Sequence, residues 1–151
     1  MRTVQDILNS KAKIFNVIEP DALVIDALTM LNSVNLSYLV VMEEDKYKGI
    51  FCERDYSRNV ILKGRSSRTS LVKEVMTIDL PIVQVTDTVE FCMNFMNLNK
   101  ARYLLAYNDN HFEGVITIHD LLRQVISGKE SVFDSTAVDK LIDREEGEKI
   151  Y

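Results

Sequence analysis

A chain of 151 residues with 46% hydrophobic and 27% charged residues has the composition of an ordinary globular protein, neither disordered nor fibrous. The formal net charge of −5 argues against a basic face that would bind DNA or RNA. No apolar run approaches the roughly 20 residues that span a bilayer, and residues 1–10 lack the layout of a signal peptide. We therefore expect a cytoplasmic protein with neither a membrane nor a nucleic acid as partner.

The sequence contains an internal repeat. A shift of 65 positions brings two long stretches into register without a gap. Identical residues then fall on each other in pairs: Tyr38 and Tyr103, Gly49 and Gly114, Asp55 and Asp120, and Arg58 and Arg123.

Each copy is predicted to hold the same elements in the same order. Apolar runs predict strands, and apolar residues spaced three and four apart predict helices. In the first copy these are a lead-in helix at 4–8, a strand at 14–18, a helix at 24–31, a hairpin of strands 38–42 and 49–52, and a helix at 54–62. The second copy repeats them at 71–76, 82–85, 89–96, 103–107, 114–117 and 119–127. The predicted fold class is α/β, with two tandem β-α-β-β-α repeats.

The domain organisation follows from this repeat. Two helices on one face of a three-stranded sheet leave the other face apolar, so two repeats must pack together as a pseudo-two-fold pair. We predict repeat 1 with its lead-in helix at 1–64, a Ser- and Arg-rich linker at 65–70, repeat 2 at 71–128 and an acidic tail at 129–151. No chemistry is assigned to the tail.

The chemistry is expected where a strand passes into a helix, at residues 49–55 and 114–120. A helix N-terminus offers free N–H groups to an anion, and a carboxylate such as Asp120 accepts both hydroxyls of a ribose. The alternative is a capping box, in which Thr117 and Asp120 satisfy the first N–H groups of the helix. Cys52 replaces the threonine in the first copy and caps poorly, yet Asp55 is retained, which favours a ligand site.

These two segments resemble the G-h-h-[S/T]-x-x-D ribose motif of the cystathionine beta-synthase (CBS) domain pair, and the second copy matches it at every position. The resemblance covers residues 4–127. Residues 49–67 are similar to the stand-alone bacterial proteins of two CBS repeats. The resemblance implies two clefts that bind AMP, ADP, ATP, NAD or S-adenosylmethionine through the adenosine moiety.

The resemblance also implies which side chains contact the ligand: an aspartate holds the ribose, the first strand and the hairpin flank the adenine, and arginines lie near the phosphates. In the second copy these are Thr117, Asp120, His119, Val83, Tyr103 and Arg102. In the first copy they are Cys52, Asp55, Arg54, Ile18, Tyr38 and Arg58. The arginines and His119 are equally consistent with exposed surface positions. A thiol is a poor hydrogen-bond donor, and the Tyr38 ring either stacks on the adenine or fills its space, so we expect the second copy to hold the better site.

The predicted function is a regulatory sensor that binds an adenosine nucleotide and transmits occupancy by a conformational change. An enzyme is not expected, because no base, nucleophile and orienting group fall together. One alternative is a structural dimerisation module with vestigial clefts. Another is a nucleotide-processing or thiol-redox enzyme, since Cys52 lies beside a helix N-terminus, where thiolate is favoured.

Two further predictions concern metals and assembly. Cys52 and Cys92 lie too far apart in sequence for a redox pair or a zinc knuckle, so we expect no metal. Phe91 and Phe95 lie beside the apolar stripe of their helix, which predicts a homodimer. The regulated protein partner is not indicated.

Overall fold

The computed structural model describes residues 1–11, 16–34, 37–126, 137 and 139–143. Its helices and strands alternate along the chain in the order α1 (Val4–Ser10), β1 (Val17–Ile18), α2 (Val24–Val34), β2 (Tyr38–Glu43), β3 (Lys46–Cys52), α3 (Glu53–Tyr56) with a π-helical continuation (Ser57–Ile61), α4 (Val72–Val75), β4 (Ile82–Gln84), α5 (Val89–Asn99), β5 (Tyr103–Asn108), β6 (His111–Thr117) and α6 (Ile118–Ile126). The predicted α/β class and the two β-α-β-β-α repeats are confirmed. Residues 14 and 15 of the predicted first strand lie outside the described residues.

The two sheets have the same topology. One has the order β1-β2-β3 and the other β4-β5-β6, each with a parallel first pair and an antiparallel second pair. The register shifts at equivalent points, between Val41 and Met42 and between Ala106 and Tyr107. The first hairpin turns at Glu44 and Asp45, both with positive φ, which matches the twist of a two-residue hairpin.

The described chain divides into two compact units, which do not follow chain order. Unit 1 comprises residues 1–12 and 80–151, and unit 2 comprises residues 13–79. Helix α1, the lead-in helix of the first repeat, therefore belongs to the unit built from the second repeat. Helix α4, which leads into the second repeat, belongs to the unit built from the first. The boundaries given above for the two repeats, 1–64 and 71–128, remain a prediction.

Backbone hydrogen bonds fix both lead-in helices in equivalent ways. The first N–H groups of a helix lack partners within it and need acceptors elsewhere. In unit 1, Val4 N donates to Asp87 O at 2.9 Å and Gln5 N to Val85 O at 3.0 Å. In unit 2, Val72 N donates to Ala22 O at 2.8 Å and Lys73 N to Pro20 O at 3.0 Å. These acceptors lie between the first strand and the long helix of each repeat.

Each unit has its own apolar core, and each lead-in helix contributes to it. Val4 and Ile7 of α1 are buried with the side chains of β4, α5, β5 and α6 in unit 1. Val72 and Val75 of α4 are buried with α2, β2 and β3 in unit 2. Cys92, a small core residue of α5, is fully buried.

Part of the acidic tail also packs on unit 1. Residue 137 and residues 139–143 are helical. Ala137 and Leu141 are buried in the core of unit 1, and Asn97 Nδ2 donates to Ala137 O at 3.1 Å. Val132 and Val138 of the tail lie outside the described residues. None of the helices within the described ranges has the length and apolarity needed to cross a membrane.

The glycine of each strand-to-helix segment permits close approach of a lead-in segment. A Cβ on Gly49 would lie 2.6 Å from Met76 Sδ and 2.9 Å from the backbone oxygen of Thr77. A Cβ on Gly114 would meet Leu8 Cδ2 at 2.9 Å. The backbone at residue 77 is fixed by two hydrogen bonds to Ile50, whereas the end of the Leu8 side chain can rotate away.

We therefore predict unequal costs for the same substitution at the two equivalent glycines. Gly49→Ala should lower the free energy of unfolding by about 1–3 kcal/mol, the usual cost of overpacking against atoms that cannot move. Gly114→Ala should change it by less than about 1 kcal/mol, because the restricted unfolded chain offsets a small side-chain adjustment. Urea denaturation of both variants tests this difference. Equal losses would contradict the assigned packing of α4 on β3.

Candidate functional site

The junction between β6 and α6 in unit 1 holds a buried, hydrogen-bonded carboxylate. Thr117 ends β6, and Asp120 lies in the first turn of α6 with only 3% of its side chain exposed. Thr117 N donates to Asp120 Oδ2 at 2.8 Å, and Asp120 N donates to Thr117 Oγ1 at 3.1 Å. The capping box considered from the sequence is therefore present, and it fixes the orientation of the carboxylate.

Two cations flank this carboxylate. Lys11, directly after α1, places Nζ 2.9 Å from Asp120 Oδ2 and donates to Val115 O at 2.9 Å. Arg123, one turn along α6, places Nη1 3.6 Å from Asp120 Oδ1. A distance of 3.6 Å is an ion pair but exceeds the range of a hydrogen bond. Oδ2 thus accepts two short hydrogen bonds, and Oδ1 has the long contact with Arg123.

Other residues predicted for the second copy lie beside this junction. Tyr103 is the strand partner of Thr117 across β5 and β6. Arg102 O accepts a hydrogen bond from Ile118 N at 3.2 Å, which holds Arg102 next to the start of α6. His119 lies between Thr117 and Asp120 in sequence, and its side chain is exposed. The structure therefore brings Arg102, Tyr103, Thr117 and Asp120 together at one end of the sheet.

The residues predicted on the first strands lie in the core. Val83 is 1% exposed and packs within the apolar core of unit 1. Its neighbour Ile82 is 52% exposed. In unit 2, Ile18 packs against the core and Val17 is 45% exposed. Successive side chains of a strand point to opposite faces, so Ile82 and Val17 present the accessible face.

The equivalent junction in unit 2 also holds a buried aspartate, and its two oxygens are both bonded within the chain. Cys52 N donates to Asp55 Oδ2 at 2.9 Å. Thr77 Oγ1, just after α4, donates to Asp55 Oδ1 at 2.6 Å. Thr77 is itself fixed, since its N–H and C=O each bond Ile50 at 2.8 Å. The Thr77 hydroxyl thus occupies the carboxylate oxygen that the capping bond from Cys52 leaves.

The other residues predicted for the first copy surround this junction. Tyr38 is the strand partner of Cys52 across β2 and β3. Arg54 of α3 is partly buried, and Arg58 of the π-helical segment is exposed. Ile18 lies one strand away, opposite Val41. The junction therefore gathers Tyr38, Cys52, Arg54 and Asp55.

The Cys52 thiol is not activated. Its burial, followed by the negative charge of nearby Asp55, raises its pKa to about 11. A thiol with that pKa is protonated at neutral pH, so the expectation that the helix N-terminus favours the thiolate is wrong. Desolvation outweighs the two backbone N–H groups near the sulfur. Burial likewise raises the pKa of Cys92 to about 12.

A pocket of about 290 Å³ opens beside Asp120 in unit 1. It is lined by the end of α1 and by α6: Ile7, Ser10, Lys11, Asp120, Arg123, Gln124 and Ile126. Its volume lies just below the range of roughly 300–1,000 Å³ that is typical of small-molecule sites. Within the described ranges, no three His, Cys, Asp or Glu side chains group to hold a metal ion.

Sequence reasoning missed the two residues that contact the aspartates from the lead-in segments. Lys11 lies 109 positions from Asp120, and Thr77 lies 22 positions from Asp55. No local pattern marks either one, because their placement depends on which sheet each lead-in helix packs against. The repeat register alone does not determine that choice.

Comparisons with known proteins agree with this architecture. The model of the CBS domain family matches residues 4–61 and 72–127. The mitochondrial CBS domain-containing protein CBSX3 of Arabidopsis thaliana is 31% identical over 133 residues, which cover 82% of this chain. The chain spans 65% of that relative, just under two thirds of its length.

Solved structures show the same fold. A CBS-domain protein from Burkholderia ambifaria is 32% identical with a TM-score of 0.75, covering 85% of this chain and 96% of that one. The crystal structure of CBSX2 in complex with AMP is 23% identical with a TM-score of 0.69, covering 86% of this chain and 100% of that one. Since the family model matches both repeats and most of the chain, the protein belongs to the CBS domain family.

Proposed function

We propose that this protein is a regulatory module that binds an adenosine-containing nucleotide in unit 1, with Asp120 as the ribose anchor. The observation that carries the proposal is the Asp120 carboxylate, which is oriented by hydrogen bonds and lines a pocket. Among the described residues, its Oδ1 has a contact of 3.6 Å with Arg123 and no shorter one. An anionic carboxylate accepts hydrogen bonds from both hydroxyls of a ribose. The capping bonds hold it in place before the ligand arrives, which lowers the ordering cost of binding.

The hydrogen bonds of the two aspartates favour unit 1 over unit 2 as the place where the ligand binds. In unit 2, Thr77 Oγ1 already donates to Asp55 Oδ1 at 2.6 Å, and Cys52 N occupies Oδ2. A ribose at Asp55 must first displace the Thr77 hydroxyl, which the backbone bonds to Ile50 hold in place. In unit 1, the contact that the described residues make with Asp120 Oδ1 is the long one from the exposed Arg123 side chain. The same motif is therefore ready for a ligand at Asp120 and satisfied internally at Asp55.

The similarity to a solved structure that contains AMP supports an adenosine nucleotide as the ligand. CBSX2, whose structure matches this fold, is in complex with AMP. The position of Ile82 suggests how the adenine is held, since this side chain is half exposed on the strand edge of unit 1, next to the buried Val83. We propose that adenine packs on Ile82 and near Tyr103, with Arg102 beside the start of α6.

A regulatory role fits the site better than catalysis does. At the described junction of unit 1, one carboxylate lies beside Lys11 and Arg123, and the Thr117 hydroxyl is engaged in the capping box. The Cys52 thiol, with its pKa near 11, makes a poor nucleophile or redox centre at neutral pH. A structural module with vestigial sites is the alternative, and the reciprocal bonds between Thr117 and Asp120 favour it, because a capping box alone accounts for both residues.

We also propose that the protein acts as a cytoplasmic homodimer. Helix α5 exposes 45% of Phe91 and 79% of Leu98, seven residues further along the same helix. The Phe91 and Phe95 rings stack with centroids 5.3 Å apart, which extends this apolar stripe. A second copy of the chain would bury this stripe. A conformational change that a ligand causes in unit 1 would then reach the second copy through α5.

The anchor assignment predicts different responses of two equivalent variants to AMP. AMP at a hundredfold excess over Kd should add about 2.7 kcal/mol to the stability of the wild type. That corresponds to a rise of several degrees in Tm, at roughly 2–4 °C per kcal/mol for a chain of this size. Asp120→Ala should abolish most of this rise. Asp55→Ala, the matched control, should preserve it, because Asp55 is bonded internally.

Thermal unfolding of the wild type and both variants, with and without AMP, measures these responses. If Asp120 serves only as a cap, Asp120→Ala lowers the free energy of unfolding of the ligand-free protein by about 1 kcal/mol. The Tm of the ligand-free protein then falls, and the AMP-induced rise in Tm stays intact. That outcome would contradict the ribose assignment. A wild type that gains nothing from any adenosine nucleotide would support the structural alternative.

The raised pKa of Cys52 predicts slow alkylation at neutral pH. In a Cys92→Ala variant, where Cys52 is the remaining thiol, the rate of reaction with iodoacetamide should increase about tenfold per pH unit between pH 7 and pH 10. The increase should not level off near pH 8.5, where an ordinary thiol is half ionised. A rate that is already at its plateau at pH 7 would revive the thiol-redox alternative.

A further inference from the structure

The pocket beside Asp120 has a charge distribution that selects among adenosine compounds. Of its lining residues, Lys11 and Arg123 are cationic, Asp120 is anionic, and Ile7, Ser10, Gln124 and Ile126 are neutral. The described lining therefore carries one net positive charge. A ribose bound to Asp120 leaves that excess charge facing whatever group is attached to the ribose.

Lys11 is the better placed of the two cations. Its Nζ is fixed by hydrogen bonds to Asp120 Oδ2 and Val115 O, both at 2.9 Å, and its side chain is 25% exposed. An ammonium has three N–H donors, and the described residues provide acceptors for two of them. Arg123 is 69% exposed and approaches from the Oδ1 side. The carboxylate thus lies between a partly buried cation and an exposed one.

These positions set the requirement for the ligand. A ribose hydroxyl that donates to Asp120 Oδ2 competes with Lys11 for that oxygen, so an ammonium displaced from it gains from a new anionic partner on the ligand. A phosphate supplies one through charge-assisted hydrogen bonds. S-adenosylmethionine instead brings the positive charge of its sulfonium to the two cations. Adenosine, with its unsubstituted 5′ hydroxyl, brings no charge.

Resting on the function proposed above, we propose that Lys11 is the specificity-determining residue of this site and makes it select adenosine nucleotides with a 5′ phosphate over adenosine and S-adenosylmethionine. Lys11 neutralises Asp120 in the free protein. When the ribose binds, the Lys11 ammonium donates to the phosphate and no longer to Asp120. The positive charge of Arg123 also attracts the phosphate, from the Oδ1 side of the carboxylate.

The different ends of the lead-in helices explain why only one junction has this lysine. Leu8 of α1 and Met76 after α4 contact the two equivalent glycines, so the helices pack alike. Helix α1 continues to Ser10 before Lys11 reaches Asp120, whereas α4 ends at Val75 and Thr77 reaches Asp55. The same packing therefore brings a cation to one carboxylate and a neutral hydroxyl to the other.

Isothermal titration calorimetry on the full chain with AMP, adenosine and S-adenosylmethionine tests the proposal. The wild type should bind AMP at least about tenfold more tightly than either of the others, the usual effect of hydrogen bonds to a charged group. Lys11→Met should weaken AMP by about tenfold or more and change adenosine by less than about threefold. Lys11→Arg should preserve the preference for AMP.

The control is Lys73→Met, which removes one positive charge from an exposed lysine of unit 2 whose ion-pair partner is Asp21. It should leave all three affinities unchanged. Raising the salt concentration should weaken AMP binding by the wild type more than by Lys11→Met, because the variant has lost one of the cations that attract the phosphate.

Three outcomes would overturn the proposal. Equal affinities of the wild type for the three compounds would refute phosphate selection and leave the nucleotide-binding function intact. Equal losses of AMP and adenosine affinity in Lys11→Met would show that Lys11 acts only by positioning Asp120. Absence of binding by the wild type to all three compounds would refute both this inference and the proposed function.

Discussion

The packing of each lead-in helix against the sheet of the other repeat is the constraint on which both junctions depend. Helices α1 and α4 are short, and their first N–H groups are satisfied by the loop that precedes the long helix of the unit they join. Their apolar side chains fill the core of the same unit. Once this packing is made, the residues that follow each helix are brought to a buried aspartate far away in sequence.

The glycines of the two motif segments have a role in this packing. A glycine in such a motif is usually explained by the approach of a ligand to the backbone. Here, the space above Gly49 is occupied by Met76 and Thr77, and the space above Gly114 by Leu8. The requirement for glycine thus arises from the chain itself, and the same contact carries Thr77 and Lys11 to their carboxylates.

A buried carboxylate needs hydrogen-bond donors, and the two units supply them differently. Both aspartates accept from the backbone N–H three residues earlier, which orients them equally. The remaining donor is a hydroxyl in unit 2 and an ammonium in unit 1. Thr77 bonds the second oxygen of Asp55, whereas Lys11 bonds the Asp120 oxygen that already accepts the capping bond, and the other oxygen has the long contact with Arg123. One repeated motif therefore gives two differently bonded carboxylates, and the ligand site that we propose is the one at Asp120.

Much of the fold could be predicted from the sequence, because the 65-residue register and the apolar spacing are local signals. The strand-to-helix junction with Thr117 and Asp120 was found for the same reason. Lys11 and Thr77 could not be found, since their roles arise from tertiary packing. Nor does the apolar run around Val83 tell which side chain faces inward; the sheet buries Val83 and exposes Ile82. The high pKa of the Cys52 thiol depends on burial, which the helix-start pattern does not reveal.

The crystal structure of the full chain grown with AMP tests the central claim most directly. The account predicts one AMP per chain, with both ribose hydroxyls within hydrogen-bond distance of the Asp120 carboxylate and with Lys11 Nζ moved onto the phosphate. Thr77 should still donate to Asp55 in the same crystal. AMP bound at Asp55 instead, or an Asp120 carboxylate still paired with Lys11 and without contact to the ribose, would contradict it.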